Sequence, residues 1–329
     1  MTTFGCGWAL DRDHLNRVAR AASRNPAVAR PKSGRKSRVA PDKCRNRWRM
    51  RAGSMPAILS GMALGQHVII RLRDDQVIAP DSTTRRRLAR AVYHKMGRSL
   101  LAFGCADNHL HLEVALDRAQ AGEAIRRLEI CLSLSLALPV SFAPAHFKAI
   151  TDQRHLYAAF RYVLKQARRH RLDGDRFFDG STLIDLIGLR AIKTPVRQTV
   201  LALLPRIRRD ELLALLPAPD LDARNPPLDQ LAEAAMAAAA LGRIDGRSLS
   251  EIETRRAALA VAERQGGSTS DVARLLGVSR RAMTRTRSLP LNEPLALAIH
   301  RQLNWREAVT REDRLSFDDT SSTLALPRP

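Results

Sequence analysis

The sequence predicts an α+β fold followed by an all-helical region, and three observations predict it. Between residues 66 and 150, apolar runs of strand length alternate with segments whose apolar residues return every three or four positions. Beyond residue 176 the strand signal stops, and Leu- and Ala-rich helical stretches follow, broken by Pro205, Pro217, Pro219, Pro226 and Pro227. Ahead of both, residues 1–65 are rich in Arg, Lys, Pro and Ser with weak apolar periodicity.

Taken in order, the basic segment 1–65 carries the tract Arg30-Pro31-Lys32-Ser33-Gly34-Arg35-Lys36-Ser37-Arg38. Such a tract is expected to stay disordered until it meets a polyanion. His67–Leu72 is expected as a strand and Ser82–Met96 as a helix, with Ser82 or Thr83 as its N-cap. Ser99–Cys105 and His109–Leu116 are expected strands joined by a turn at Asp107-Asn108. Ala119–Ala137 is an expected helix closed by Pro139, Phe142–Ile150 a short strand, and Arg154–Arg171 a further helix. The order strand, helix, strand, strand, helix, strand over residues 66–175 matches a split β-α-β unit, the ferredoxin-like arrangement.

Residues 176–247 are expected to be a helical connector. Within 248–310, Ser250–Glu263 is an expected helix, and Ser270–Arg285 is expected to form helix, tight turn, helix. Ala273 is small where two helices would cross, Gly277 can take a positive φ at the turn, and Ser279 can cap the second helix. This pattern predicts a helix-turn-helix DNA-binding domain whose exposed Arg280, Arg281, Thr284 and Arg285 suit phosphates and base edges. An ordinary helical hairpin with a solvated basic face is the alternative. Residues 311–329 are expected to be a flexible polar tail, and no internal repeat is present.

Charge narrows the partners. With 55 Lys and Arg against 33 Asp and Glu, the formal net charge is +22, which attracts polyanions, nucleic acid first. A membrane partner is not expected, because the sequence has no long uncharged apolar span. Aromatic residues make up only 4%, which disfavours the aromatic platforms of general single-strand binders. Cys6, Cys44, Cys105 and Cys131 form no C-x-x-C pair, which argues against a zinc ribbon and suits a reducing cytoplasm.

The chemistry concentrates in two segments. In Ala106–Leu116 polar and apolar residues alternate, so His109, His111 and Glu113 share one strand face and Leu110, Leu112, Val114 and Leu116 the other. Two imidazoles and a carboxylate at this spacing can hold a divalent cation, although a histidine pair alone reads better as a solvent-facing strand edge. In the helix after Arg154, Leu156, Phe160, Val163 and Ala167 form an apolar stripe. Tyr162 and Gln166 lie one turn apart on its flank, with Lys165, Arg168 and Arg169 on the polar side. A phenol with a pKa near ~10 is a weak nucleophile at neutral pH. A metal that polarises a phosphodiester, and arginines that hold its neighbours, would let it act.

His109-Leu110-His111 resembles the His-hydrophobic-His motif of the HUH endonucleases. Arg161-Tyr162-Val163 followed by Gln166 resembles the tyrosine helix of the single-tyrosine HUH transposases, a group that includes the REP-associated tyrosine transposases. In that family a glutamine or asparagine four positions after the tyrosine completes the metal site. Tyr157 is followed at that spacing by Arg161 and Tyr93 by Gly97, so only Tyr162 meets the pattern. The resemblance covers residues 66–172. It departs from the REP-associated pattern at Gln166-Ala167, where an Asn-Pro pair is usual, and at Asp107-Asn108, where Pro-Asn is usual.

The resemblance implies Tyr162 as nucleophile, His109, His111 and Gln166 as ligands, and Mg²⁺ or Mn²⁺ as cofactor. It implies single-stranded hairpin DNA ends as substrate, with duplex DNA as a partner of the helix-turn-helix. It further implies a monomer or homodimer in the cytoplasm, associated with the nucleoid through DNA. Lys165, Arg168 and Arg169 would hold flanking phosphates. Glu113 is expected to be supporting or solvated, His155 and His170 surface residues, and Asn108 a turn residue. Two rivals stay open. One is a catalytically inactive, domesticated DNA-binding regulator. The other is a metal-dependent hydrolase that uses water and does not need Tyr162.

Overall fold

The computed structural model describes residues 63–172, 175–192, 196–216 and 225–322, with side chains to residue 312. The expected basic tract at residues 30–38 therefore lies outside the described residues. The chain divides into two units, residues 1–56 and 57–329, and every described residue belongs to the second.

The fold is α+β. Four strands, β1 (Gly65–Arg71), β2 (Leu100–Cys105), β3 (His109–Val114) and β4 (His146–Ile150), form one antiparallel sheet in the order β2-β3-β1-β4. The connections β1→β2 and β3→β4 run through helices α1 (Ser82–Met96) and α2 (Arg118–Leu136). Both helices cover one face. Tyr93 of α1 meets Phe103 of β2 edge-on at 5.6 Å, and the Arg118 guanidinium of α2 lies 3.6 Å from the ring of Phe147 on β4. The opposite face receives α3 (Gln153–Leu164) and the short α4 (Gln166–Arg169). Strand alternation puts Gly104 on that second face, and a Cβ there would stand 2.4 Å from the Val163 carbonyl oxygen. Glycine thus lets the tyrosine helix settle directly on β2.

Boundaries differ from the sequence reading at several ends, and three of them are informative. The cap of α1 is Asp81, one residue earlier: its backbone is extended, its Oδ1 accepts from Thr84 N at 2.8 Å, and Thr84 Oγ1 accepts from Asp81 N at 3.2 Å. The single helix expected to Arg171 breaks at Lys165. There the Gln166 side chain donates to the Tyr162 carbonyl at 3.0 Å, and the Lys165 N–H turns back to that same carbonyl at 3.2 Å, tightening the last turn. The expected strand from Phe142 narrows to β4, with Phe142 keeping only an isolated bridge to Leu72.

The rest is helical: α5 (Leu183–Leu186), α6 (Val196–Leu203), α7 (Arg209–Leu213), α8 (Leu231–Ala239), α9 (Leu249–Arg264), α10 (Thr269–Leu275), α11 (Arg280–Arg287) and α12 (Glu293–Ser322). Helix α9 starts in a capping box between Ser248 and Glu251. Between α10 and α11, Gly277 takes φ +63°, and Ser279 caps α11 by accepting from Ala282 N at 3.2 Å.

The expected flexible tail from 311 is instead helical through Ser322. Helix α12 is long because it is anchored twice. Leu295, Ile299 and Leu303 enter one apolar core with α8–α11, while Trp305 and Val309 enter the core of the sheet. An already nucleated helix propagates at little cost per residue.

An ion network ties α1 to the helical region. Both Asp179 carboxylate oxygens accept, from Arg85 Nε at 3.1 Å and from Arg86 Nε at 2.8 Å. Arg86 also pairs with Glu233 of α8, and Arg306 of α12 lies 3.7 Å from the same carboxylate. Arg190 donates to the Asp179 carbonyl at 2.7 Å, to the Ser181 carbonyl at 2.6 Å and to Asp185.

Candidate metal centre and tyrosine site

The alternation of β3 is realised. Leu110, Leu112 and Val114 are fully buried on the α1–α2 side, and His109, His111 and Glu113 face α3 and α4. Leu116 lies beyond the strand end. The histidine face is not a solvated edge, because β3 is an inner strand and the tyrosine helix lies over it. His111 is buried, and Glu113 is fully so rather than solvated.

Four imidazoles gather there. His67 of β1 sits across from Glu113 in the register, and its Nε2 lies 3.1 Å from His111 Nδ1. The rings of His109 and His111 are 4.9 Å apart, and His170, just past α4, is 4.8 Å from His109. One ligand nitrogen each from His109, His111 and His170 lies within 4.8 Å of the others, close enough to hold a metal ion. Asn108 does more than turn the chain. Its Oδ1 is 3.1 Å from His109 Nδ1 and its Nδ2 donates to Asp75 at 3.0 Å, so it orients the His109 ring.

The tyrosine joins this group. The Tyr162 ring is 5.4 Å from His111 and 5.8 Å from His67, and the Arg169 guanidinium lies 5.1 Å from the phenol ring centre. Gln166 is fully buried. Its Nε2 is used on the Tyr162 carbonyl, while its Oε1 has no partner. His111 Nε2 and both Glu113 oxygens are likewise buried without partners. Buried polar atoms are rarely left so.

Burial sets the protonation. It lowers the His67 pKa to about 4, helped by Lys148, His146 and His155. It lowers His111 to about 3, helped by His109, His67, His170 and Arg169, and it lowers His109 as well. These imidazoles are neutral at pH 7, with lone pairs available to a cation. Burial also raises the Glu113 pKa to about 9, so that carboxyl holds its proton at neutral pH. The orphaned His111 nitrogen and Gln166 oxygen, beside neutral histidines, form a donor set that fits a divalent cation.

Of the basic residues singled out in the sequence, Lys165, Arg168 and Arg169 are exposed on the tyrosine helices. Arg280, Arg281, Thr284 and Arg285 are exposed on α11, whose Met283 and Thr286 face inward. His170 was expected at the surface but is half-buried in the cluster. Its signal was the series Tyr162, Gln166, His170 at steps of four, which keeps one helix flank. His67 was missed altogether. Its only signal is its place in β1, and that matters once β1 is known to pair with β3.

Compared with known proteins, the chain matches no protein-family model, no curated protein and no solved structure. Among the described residues no helix is long and apolar enough to cross a membrane.

Proposed function

We propose that the chain is a single-tyrosine transposase of the HUH type, which cleaves and rejoins single-stranded hairpin DNA through a 5′-phosphotyrosine. One observation carries the reading: the Tyr162 ring packs against His111 where a His111 nitrogen and a Gln166 oxygen are buried without partners. The residues that would hold Mg²⁺ or Mn²⁺ are His109, His111 and Gln166, with His170 within reach of the two histidines. Such an ion, when bound, polarises the scissile phosphate and stabilises its developing charge.

Tyr162 supplies the nucleophile. Its phenolic oxygen bonds to phosphorus as the P–O3′ bond breaks. The phenolic proton is released and the departing 3′ oxygen takes one up, so the products are a phosphotyrosine and a 3′-OH. Attack by a 3′-OH on that link runs the exchange backwards and rejoins strands. Arg169 presents its guanidinium beside the phenol, and Lys165 and Arg168 are exposed on the same stretch, as cations for the neighbouring phosphates.

The strand order, with both crossover helices on one face, supports the ferredoxin-like split β-α-β reading. The turn at Gly277 and the exposed cations of α11 support a helix-turn-helix that holds duplex DNA. A cytoplasmic protein bound to the nucleoid, acting as monomer or homodimer, belongs to the same reading.

Incubation with single-stranded hairpin oligonucleotides and Mg²⁺ or Mn²⁺ tests it on a denaturing gel. A covalent protein–DNA adduct, absent in Tyr162→Phe, is the expected result. DNA binding with no adduct under either metal overturns the enzyme in favour of a regulator. Cleavage that persists in Tyr162→Phe overturns it in favour of a water-using hydrolase.

A further inference from the structure

The ligand group on the histidine face is rich in nitrogen and holds no anion. His109, His111 and His170 bring one ring nitrogen each to within 4.8 Å of the others, and among the described residues no carboxylate or thiolate belongs to that group. The middle ring is buried and the outer two are half-buried, so the group is open on one side.

The chain also sets which nitrogens are free. The Asn108 amide nitrogen is spent on Asp75, so its oxygen faces His109 Nδ1 at 3.1 Å. His109 Nδ1 therefore donates, and its Nε2 keeps the lone pair. His111 Nδ1 lies 3.1 Å from His67 Nε2, and His111 Nε2 has no partner. With His111 Nε2 as a ligand, its Nδ1 donates to His67, which fixes the ring as an outer partner does. His170 arrives from the other element. Its backbone N–H turns back to the Gln166 carbonyl at 2.9 Å at the end of α4, and its ring stands edge-on to His109.

Donor type decides the ion. Mg²⁺ is a hard cation that takes oxygen, carboxylates first, and keeps several waters. Imidazole suits Zn²⁺, which stands far above Mn²⁺ in affinity for a nitrogen site. Three protein ligands with one position left open is the make-up of catalytic zinc sites. With Zn–N near ~2.1 Å, ligand nitrogens stand about 3.4 Å apart. The rings of His109 and His170 are half-buried and reach that spacing by turning inward.

We propose that His109, His111 and His170 form a three-imidazole site that takes Zn²⁺ in preference to Mg²⁺. The proposal rests on the metal-centre part of the transposase reading and not on the tyrosine chemistry. It adds His170 to the ligands that the resemblance implies.

Calorimetry on the full chain, stripped of metal and free of DNA, tests it. One Zn²⁺ per chain is expected, at least about a hundredfold tighter than Mg²⁺. His170→Ala is expected to weaken Zn²⁺ at least about tenfold and Mg²⁺ far less, so that their ratio falls. His170→Gln, which keeps a polar side chain and offers oxygen in place of nitrogen, loses the same preference. His94→Ala, at an exposed histidine of α1, leaves both affinities unchanged.

Equal affinity for Zn²⁺ and Mg²⁺ in the wild type overturns the proposal. So does a ratio that survives both His170 variants or is lost in His94→Ala, with zinc held elsewhere. A zinc preference that depends on His170, in a protein that forms no adduct, upholds the site and removes the transposase. Adduct formation with Mg²⁺ and no zinc preference removes this site alone.

Discussion

Two buried polar clusters in this molecule are built on opposite terms. Around Asp179 both carboxylate oxygens are met by arginines, and Arg190 spends its donors on two carbonyls and Asp185. Around His111 an imidazole nitrogen, an amide oxygen and two carboxyl oxygens are buried with no partner. Leaving a buried polar group unpaired costs about 1–3 kcal/mol. At Asp179 itself the first cluster closes, with one buried nitrogen at its rim, Arg306 Nε, left without a partner, and it joins α1 to α8. The second stays open at the face where the tyrosine helix crosses the sheet. A cluster that satisfies itself is scaffold, and one that keeps its lone pairs free is prepared for something else.

The largest effect should come from removing an open donor. His111→Ala is expected to abolish Mn²⁺ binding, followed by electron paramagnetic resonance, and to cut adduct formation by at least about a hundredfold. Even the outer partners of metal ligands are worth roughly 10–100-fold. Its stability should fall by about 1–3 kcal/mol, because His67 Nε2 loses its partner and a buried ring is removed, so binding is read on the folded fraction. Retained Mn²⁺ affinity would take His111 out of the ligand set.

The closed cluster should respond in reverse. Asp179→Ala leaves Arg85 with Asp175 and Arg86 with Glu233 but removes the buried carboxylate they share, and is expected to cost roughly 3 kcal/mol in urea unfolding. The fraction that stays folded should bind Mn²⁺ as before. If Asp179→Ala unfolds at the wild-type midpoint, the contrast between the clusters fails.

The open cluster was visible in the sequence where its geometry is local. Strand alternation put His109, His111 and Glu113 on one face, and a step of four put Gln166 behind Tyr162, with no knowledge of the fold. The missing parts depend on distant contacts. His67 counts only through the β1–β3 register, and the burial of Glu113 only through the helix laid over it. The break at Lys165 sits where the chain comes close to Gly104, about sixty residues earlier. Helix α12 looked like tail because its end is polar, while its hold on the sheet core comes from Trp305 and Val309. Asp179 gave no signal, since its arginines lie more than ninety positions away.

Metal addition sharpens the comparison further. A ligand that binds only the folded state at about one hundred times its dissociation constant stabilises by about 2.7 kcal/mol. Mn²⁺ should therefore raise the thermal midpoint of the wild type and of any folded Asp179 variant. It should leave His109→Ala unmoved and shift Gln166→Ala or His170→Ala only partly. A full shift in His109→Ala would place the ion elsewhere.

The smallest effect tests whether the open cluster carries its cost as a pH dependence. Glu113, with a folded pKa of about 9, keeps its proton after the unfolded chain has released its own. Stability is therefore lost as pH rises from the unfolded value near ~4.3 toward the folded one. His67 and His111, with folded values of about 4 and 3, act in the other direction: the unfolded chain takes up protons first, and stability is lost as pH falls below ~6.5. Glu113→Gln removes only the alkaline arm. At about 1.4 kcal/mol per pH unit its gain at pH 8 is bounded near ~5 kcal/mol. The unpaired amide it leaves buried takes back about 1–3 kcal/mol, so roughly 2 kcal/mol should remain. The difference between variant and wild type in chemical unfolding should thus be smallest at pH 5 and grow steadily to pH 8. A difference that does not change with pH would mean that Glu113 is ionised in the fold and meets a cation there, which would make its part of the cluster closed after all.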